Sequence, residues 1–287
     1  MNRMLKQIAV VTFGLAPVLA LASRWDDWRD WPYSDKETIQ KSFDLSHSSE
    51  AKRLLVDNMR GYVHVNGSGG STIRVTIHKE VRGRTQSALE EGKREARLDI
   101  SQQGNYVRFY DDGPWRHHDR GDDYYGYRAN YDYDVEVPSG TELNIKGFND
   151  KIEVRGTDGP FDIHGFNGGI DMQDISGSGT VQTFNGGMKV AFRRNPEHDS
   201  TFKTFNGSID AYFQPDFNAD LHFKTFHGGV FSDFDVAPLP ATIAAGDNLN
   251  AKFVYRSNGG GSARVGRGGP ALHFEGFNGS IRLHTKS

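Results

Sequence analysis

The chain has 287 residues, of which 36% are hydrophobic and 12% aromatic, and its 34 glycines favour many short strands joined by turns. A formal net charge of −3 gives no basic footprint for nucleic-acid binding. Because the chain has no cysteine, it has no disulfide framework, thiolate nucleophile or Cys-ligated zinc.

Residues 1–22 have the form of a secretory signal peptide. Arg3 and Lys6 precede an apolar run from Ile8 to Leu21, and the small residues at 20–22 suit cleavage. The run is too short to span a bilayer comfortably, although a retained anchor helix is the alternative. We therefore expect an exported protein, periplasmic or at the cell surface, with no membrane span after cleavage.

Residues 23–42 are rich in tryptophan and acidic side chains. Trp25, Trp28 and Trp31 recur at every third position, and exposed tryptophans can anchor onto a glycan or a protein. Because Pro32 and the dense acids disfavour a packed element, the sequence predicts an extended linker here.

Residues 43–137 are predicted as an N-terminal β region with one short helix. The segments 54–58 and 61–65 alternate like the two strands of one repeat unit, and 71–77 has a similar alternation. Between 85 and 97, apolar residues at helical spacing among charged ones indicate an amphipathic helix that caps or crosses the sheet.

An Asp-, His- and Tyr-rich loop is predicted at 110–134. Its carboxylates and histidines could hold a divalent cation, and its tyrosines could stack on sugar rings or a partner surface. No recognised metal-ligand spacing is present, so neither a metal nor a cofactor is predicted, and a solvated hairpin extension is the simpler interpretation. The candidate binding residues are Trp115, His117, His118, Asp119, Asp122, Asp123, Tyr124 and Tyr125.

Residues 138–287 repeat a short phrase in which phenylalanine precedes Asn-Gly or a close variant. Successive phenylalanines lie 18, 18, 21, 21 and 51 residues apart, and the longest gap suggests a degenerate copy at 257–260. This spacing predicts about seven stacked rungs whose equivalent strands pair at roughly 4.8 Å. The repeated residues are Phe148, Asn149, Phe166, Asn167, Phe184, Asn185, Phe205, Asn206, Phe226, Phe277 and Asn278.

The flanks of each phrase alternate with period two, as half-buried strands do. The residues three before and four after each phenylalanine are apolar and are predicted to point inward, while those between them are mostly polar. We further expect the phenylalanines to form an internal stack and the asparagines to form a hydrogen-bonded ladder. The glycine after each asparagine is expected to allow a turn with positive φ.

The chain resembles the bacterial putative-adhesin family of unknown function. The resemblance rests on the signal sequence, the Leu-x-Val-x-Asn and Gly-x-Val-x-Val opening at 54–65, and the Phe-Asn-Gly-x-Ile rungs from Phe148 to Ile281. It covers most of the mature chain and implies an all-β envelope protein, a single-stranded β-helix or β-solenoid of right-handed coil. These motifs specify architecture and say little about chemistry.

Three functions stay open at this point. The leading hypothesis is a non-catalytic, adhesin-like module that presents a polar ladder to an envelope glycan or a protein. The second is a β-helical polysaccharide lyase or hydrolase that uses the outward carboxylates Glu153 and Asp171 of adjacent rungs, although Lys189 continues that column as ordinary charge alternation. The third is an envelope scaffold that self-associates through unpaired end rungs.

Overall fold

The computed structural model describes residues 28–45, 50–116, 125–239, 244–245, 253–256 and 260–286. These residues are mostly in β-strands, with one α-helix and two short 3₁₀ turns at Trp28–Asp30 and Pro114–Arg116. The predicted signal peptide, residues 117–124 of the predicted loop and residues 257–259 of the degenerate copy lie outside them. Within the described ranges, no helix has the length and apolar character needed to span a membrane.

The chain contributes 23 described strands and one helix. The N-terminal elements are β1 (Tyr33–Asp44), β2 (Arg53–Arg60), β3 (Val63–Ser68), β4 (Thr72–Gly83), α1 (Gln86–Glu95), β5 (Arg97–Gln103), β6 (Tyr106–Asp112) and β7 (Tyr127–Pro138). The strands of the repeat region are β8 (Glu142–Asn149), β9 (Ile152–Arg155), β10 (Phe161–Asn167), β11 (Ile170–Ile175), β12 (Gly179–Asn185), β13 (Met188–Phe192), β14 (Ser200–Asn206), β15 (Ile209–Phe213), β16 (Ala219–His227) and β17 (Val230–Ser232). The last strands are β18 (Val236–Pro238), β19 (Ala244–Ala245), β20 (Phe253–Arg256), β21 (Gly261–Val265), β22 (Ala271–Asn278) and β23 (Ile281–Thr285).

The strands form two sheets. The 12-stranded sheet runs β1-β4-β7-β3-β9-β11-β13-β15-β23-β17-β20-β19, and the 11-stranded sheet runs β18-β21-β16-β22-β14-β12-β10-β8-β2-β6-β5. From β8 to β15 the chain alternates between the sheets, and each strand pairs in parallel with the strand two places later. Equivalent repeat positions are aligned, as where Ile145, Ile163 and Val181 pair in register. The predicted stacking of repeat strands is confirmed in this stretch.

The C-terminal rung is inserted out of chain order. Strand β22 pairs in parallel with both β14 and β16, and β23 pairs in parallel with both β15 and β17. Phe274 therefore lies between Phe202 and Phe223 in the register of the 11-stranded sheet. The rungs therefore do not follow chain order at this end, since the last rung pairs in register with the rungs that contain Phe205 and Phe226.

The facing sides of the two sheets enclose a continuous apolar core. The residues three before and four after each repeat phenylalanine are buried there, as predicted. They are Ile145, Ile163, Val181, Phe202, Phe223, Phe274, Ile152, Ile170, Met188, Ile209, Val230 and Ile281. The N-terminal half adds the large side chains of Phe109, Tyr131 and Tyr133 to the same core.

The repeated phenylalanines lie on the outer surface, which corrects the predicted internal stack. In β14, Phe202 is 0% exposed whereas Phe205 is 38% exposed. Successive side chains of a strand point to opposite faces, so a residue three positions after an inward one must point outward. The same alternation that places Phe202 in the core therefore places Phe205 outside.

A glycine follows most of the repeat asparagines, and also His227, and allows the turns of neighbouring rungs to approach closely. A Cβ on Gly186 would lie 2.2 Å from the carbonyl oxygen of Gly168, and one on Gly228 would lie 1.9 Å from that of Gly279. The predicted positive φ occurs at Gly207 and Gly279, at 149° and 145°. At the other turns, glycine is explained by the lack of space for a Cβ between neighbouring rungs, and not by a positive φ.

The N-terminal half extends both sheets. Strands β2 and β3 pair in parallel with β8 and β9, which confirms the rung predicted at 54–65. Strand β4 instead pairs antiparallel with β1 and β7, so the segment 71–77 belongs to a long antiparallel strand and does not form a rung. Helix α1 matches the predicted helix, and the Thr85 side chain caps it by accepting a hydrogen bond from the Ala88 N–H.

The segment predicted as a linker is part of the 12-stranded sheet from residue 33 onward. Trp31 is 3% exposed, and β1 pairs with β4 over its whole length. Pro32 precedes the strand, where its missing N–H removes no ladder hydrogen bond. Charged side chains such as Lys36 and Lys41 line β1, which is the edge of its sheet and is thereby discouraged from pairing with another chain.

Candidate functional site

Six outward phenylalanines form one continuous stack, here called the aromatic ladder. Neighbouring rings have centroids 4.6 to 5.1 Å apart and planes inclined by 4 to 6°. Five steps at the strand spacing of about 4.8 Å make the ladder roughly 24 Å long. In spatial order its members are Phe148, Phe166, Phe184, Phe205, Phe277 and Phe226.

The ladder presents ring edges to solvent. Because each inner ring is sandwiched between two nearly parallel neighbours, its faces are covered and its C–H rim is left exposed. Five of the rings are 37 to 41% exposed, whereas Phe226 at the end of the stack is 68% exposed. The ladder is thus an apolar ridge with one open end.

A ladder of amide hydrogen bonds runs along one side of the rings, as the sequence predicted. From Asn167 to Asn278, each asparagine Nδ2 donates to the Oδ1 of the asparagine before it in the stack, at 2.7 to 3.0 Å. His227 ends the series with its Nδ1 3.2 Å from the Oδ1 of Asn278. The linked residues are Asn149, Asn167, Asn185, Asn206 and Asn278.

A polar column, formed by the residue two before each ladder phenylalanine, runs along the other side. In spatial order it consists of Lys146, His164, Gln182, Lys203, Glu275 and Lys224. Glu275 lies 3.2 Å from the Lys203 Nζ and 3.0 Å from the Lys224 Nζ. The hydrogen bonds from Lys224 and Lys203 hold the pKa of Glu275 below its usual range, so this carboxylate is ionised at neutral pH.

A groove of about 530 Å³ lies between the column and the open half of the ladder, and is here called the aromatic groove. One wall is the ring series Phe184, Phe205, Phe277 and Phe226, and the other is Gln182, Lys203, Glu275 and Lys224. Thr183, Thr204, Gly276 and Thr225 complete the lining. The sequence predicted the phenylalanines as repeat residues with mostly polar residues beside them, but it missed the groove, because it placed the rings inside. The signal was present in the sequence, because a phenylalanine three positions after an inward residue of the same strand must point outward.

The candidate residues of the Asp-, His- and Tyr-rich loop are described only at its two ends. Trp115 packs against the core, and the Arg60 guanidinium lies 5.8 Å from its ring centroid. Tyr125 lies 5.8 Å from Tyr127, ring centroid to ring centroid. The other six candidates, His117, His118, Asp119, Asp122, Asp123 and Tyr124, lie outside the described residues.

The first end of that loop is held by a buried ion pair. Asp111 is 1% exposed and accepts a hydrogen bond from the Met59 N–H at 2.8 Å. Arg116 pairs with Asp111 and also with Asp57, at 2.9 Å from its Oδ1. Burial raises the pKa of Asp111, and the Arg116 guanidinium opposes that rise. These contacts connect the loop base at Arg116 to strands β2 and β6.

The carboxylates considered for catalysis are neighbours on the outer face of the other sheet. Glu153 pairs with Asp171 in the register of β9 and β11, and Lys151 lies between them, bonded to Glu153 and 3.5 Å from Asp171. The hydrogen bond from Lys151 lowers the pKa of Glu153, whereas a general acid needs a raised one. Within the described ranges, no three His, Cys, Asp or Glu side chains converge to hold a metal ion.

The fold defines an all-β protein whose two sheets are built largely from in-register parallel rungs. Neither a protein-family model nor a curated protein matches the chain. It is similar to a putative cell adhesion protein from Clostridium sporogenes, at 8% identity and a TM-score of 0.43, over 87% of this chain and 100% of that one. A putative adhesin from Bacteroides fragilis has 10% identity and a TM-score of 0.38, over 87% and 97% of the two chains. A putative lipid-binding protein from Parabacteroides distasonis has 8% identity and a TM-score of 0.20, over 88% and 97%.

Proposed function

We propose that this chain is a non-catalytic, exported binding module of the cell envelope, which holds an extended ligand in the aromatic groove. The observation that carries the proposal is the continuous row of exposed phenylalanines at outward strand positions. A solvated sheet face ordinarily carries polar side chains at such positions, and contiguous exposed apolar surface is typical of interaction sites.

The rungs are proposed to coil as a right-handed β-solenoid. From β8 to β15 the chain leaves one sheet, adds a strand to the other and returns to pair in parallel beside its previous strand. Crossovers between parallel strands of one sheet are right-handed in nearly all proteins. The repeated coil gives the surface its regularity, because every turn repeats the same outward positions.

Export to the envelope is supported by the sequence of residues 1–22, which has the form of a secretory signal peptide. The apolar stretch is followed by no other segment of comparable hydrophobicity. A protein released there would meet glycans, proteins and amphiphiles of the envelope.

The ladder favours a ligand that lies lengthwise and has an apolar side. Ring edges offer apolar contact along the groove, and the polar column offers hydrogen bonds and charges on the opposite wall. Stacking of sugar rings needs open aromatic faces, and those of the inner rings are covered by their neighbours. The glycan partner expected from the sequence therefore finds less support on this face than an elongated, partly apolar molecule.

Binding without catalysis is favoured over the lyase or hydrolase hypothesis. The lowered pKa of Glu153 suits an ion pair with Lys151 and opposes proton donation to a leaving group. Self-assembly through the β1 edge is also disfavoured by its charged side chains.

The test uses N-phenyl-1-naphthylamine, an uncharged apolar dye whose fluorescence rises in apolar surroundings. We expect saturable binding to the purified mature chain with one site per molecule. Phe205→Thr and Phe226→Thr should each weaken binding by about fivefold, which corresponds to the loss of one partly buried ring contact. Phe148→Thr is the matched control, because Phe148 belongs to the ladder but does not line the groove.

Circular dichroism and the urea midpoint of each variant verify that it is folded. Absence of saturable dye binding to the parent chain would overturn the proposal. Equal weakening by all three substitutions would also overturn the assignment to the groove.

A further inference from the structure

We infer that the ligand of the aromatic groove is a single-chain anionic amphiphile of the fatty-acid class, with its hydrocarbon chain along the rings and its carboxylate at the Phe226 end. This inference rests on the proposed function and names the chemistry of its ligand. Four features of the groove carry it: its width, its length, the kind of apolar surface and the balance of charge.

The width of the groove suits one hydrocarbon chain. The polar column and the aromatic ladder occupy positions two residues apart on the same strands, which places their Cα rows roughly 7 Å apart. The floor between the rows is formed by residues whose side chains are buried, including Thr183, Thr204 and Thr225. Side chains rising from both rows line the groove of about 530 Å³, which is longer along the stack than across it and so suits a narrow, unbranched ligand.

The length of the groove suits a medium-length chain. It spans four rungs, from Phe184 to Phe226, which is roughly 14 Å at the strand spacing. Its volume of about 530 Å³ lies within the range of small-molecule sites. The groove also follows the stacking direction, perpendicular to the strands, so an extended peptide lying in it could not add to the sheet through main-chain hydrogen bonds.

The apolar wall offers nonpolar contact without hydrogen bonds, so it does not require a ligand to present polar groups in a fixed orientation. Because the inner rings are stacked within 5 to 6° of parallel, they offer a continuous row of C–H edges and no open faces. Methylene groups gain from contact with such a row by leaving water, and every added methylene gains again until the row ends. A polymer of hydroxylated rings would gain less from the same wall.

The charge of the opposite wall is net positive. Lys203 and Lys224 flank a single carboxylate, Glu275, so two cations face one anion. The Lys224 side chain is 69% exposed and stands on the same strand as Phe226, the most exposed ring of the ladder. A carboxylate head group at this end would pair with Lys224 and would be repelled by Glu275.

The first measurement follows chain length and head group by displacement of the naphthylamine dye below micelle-forming concentrations. Octanoate, decanoate and dodecanoate should bind with affinities that rise about threefold to fourfold for each added methylene. Dodecanoate should bind more tightly than uncharged dodecyl maltoside, and dodecyltrimethylammonium should bind most weakly. Affinities that do not depend on chain length, or tightest binding of the cation, would overturn the inference.

The second measurement uses charge variants of opposite expected sign. Lys224→Gln should weaken dodecanoate binding by about threefold to tenfold, and Glu275→Gln should tighten it by a similar factor, both without effect on dodecyl maltoside. Lys146→Gln is the matched control, because Lys146 stands in the same column outside the groove. Raised salt should reduce these differences. Unchanged dodecanoate affinity in both groove variants would refute the head-group assignment.

The outcomes separate this inference from the proposed function. If the dye binds in the groove and dodecanoate does not displace it, the fatty-acid assignment fails and the binding module stands. If neither ligand binds, both fail. If phosphatidylglycerol vesicles bind the chain while monomeric dodecanoate does not, the inference is overturned in favour of a membrane surface.

Discussion

Two phenylalanines of one strand provide a direct test of the inside and outside faces. Phe202 is fully buried, and replacing it with alanine should lower the free energy of unfolding by about 4 kcal/mol, the middle of the range for core phenylalanines. Phe205 is 38% exposed, so Phe205→Ala loses about three fifths of a full burial, roughly 1–2 kcal/mol. Lost stacking against Phe184 and Phe277, at about 0.5 kcal/mol for each exposed pair, brings this to about 2.5 kcal/mol.

The expected gap of about 1.5 kcal/mol is measurable by urea unfolding at equilibrium, with the m-value of each variant compared with that of the parent. Phe202→Leu replaces Phe202→Ala if the larger truncation prevents folding, and its matched partner is then Phe205→Leu. An equal or greater loss at Phe205 would refute the outward placement of the ladder, and with it the groove.

Three further predictions concern other parts of the fold. Arg116→Met leaves the buried carboxylate of Asp111 unpaired, so urea unfolding at pH 7 should show a loss of about 3–5 kcal/mol. Burial raises the pKa of Asp111 in the folded protein above its value in the unfolded chain. The stability lost in Arg116→Met should therefore shrink as pH falls through the folded pKa, because the buried carboxyl then becomes neutral. A loss of stability that does not depend on pH would contradict this role of Asp111. Gly92→Ala would by itself stabilise an isolated helix by about 1 kcal/mol. In this protein it should instead lower the thermal midpoint, because the new Cβ would lie 2.6 Å from the Tyr127 ring. A raised thermal midpoint would show that helix α1 and Tyr127 are not in contact. Asn185→Ala interrupts the amide ladder and should reduce the unfolding free energy by about 1 kcal/mol, so an unchanged urea midpoint would assign the ladder no role in stability.

Much of the architecture is readable from the repeat itself. Residues three before and four after each phenylalanine are buried because a pleated strand alternates faces, and the sequence carries that alternation without exception at Ile145, Ile163 and Val181. The asparagine ladder also follows from spacing, since equivalent side chains of paired strands lie one strand spacing apart. Helix α1 is readable from its Thr85 cap and its apolar spacing.

The rung order at the C-terminal end is not readable in this way. Strands β14, β16 and β22 share the same pattern of apolar and polar positions, so the sequence offers several equivalent neighbours in register. The choice depends on what covers each edge, and β21 pairs antiparallel along the free side of β16. Such pairing involves segments that are distant in sequence, so it cannot be predicted from local periodicity.

The aromatic ladder serves stability and recognition at different places along its length. At the end near Phe148, the rings cover one another and gain the burial that a stack provides. From Phe184 to Phe226, the rings additionally face Lys203, Glu275 and Lys224 across a groove. If the stack were purely structural, each ladder phenylalanine would contribute only to the free energy of unfolding. If the proposed site exists, the phenylalanines of the groove also contribute to ligand affinity. Threonine substitutions at all six ladder positions, each measured for stability and for ligand binding, therefore distinguish a stack that only holds the rungs together from one that also holds a ligand.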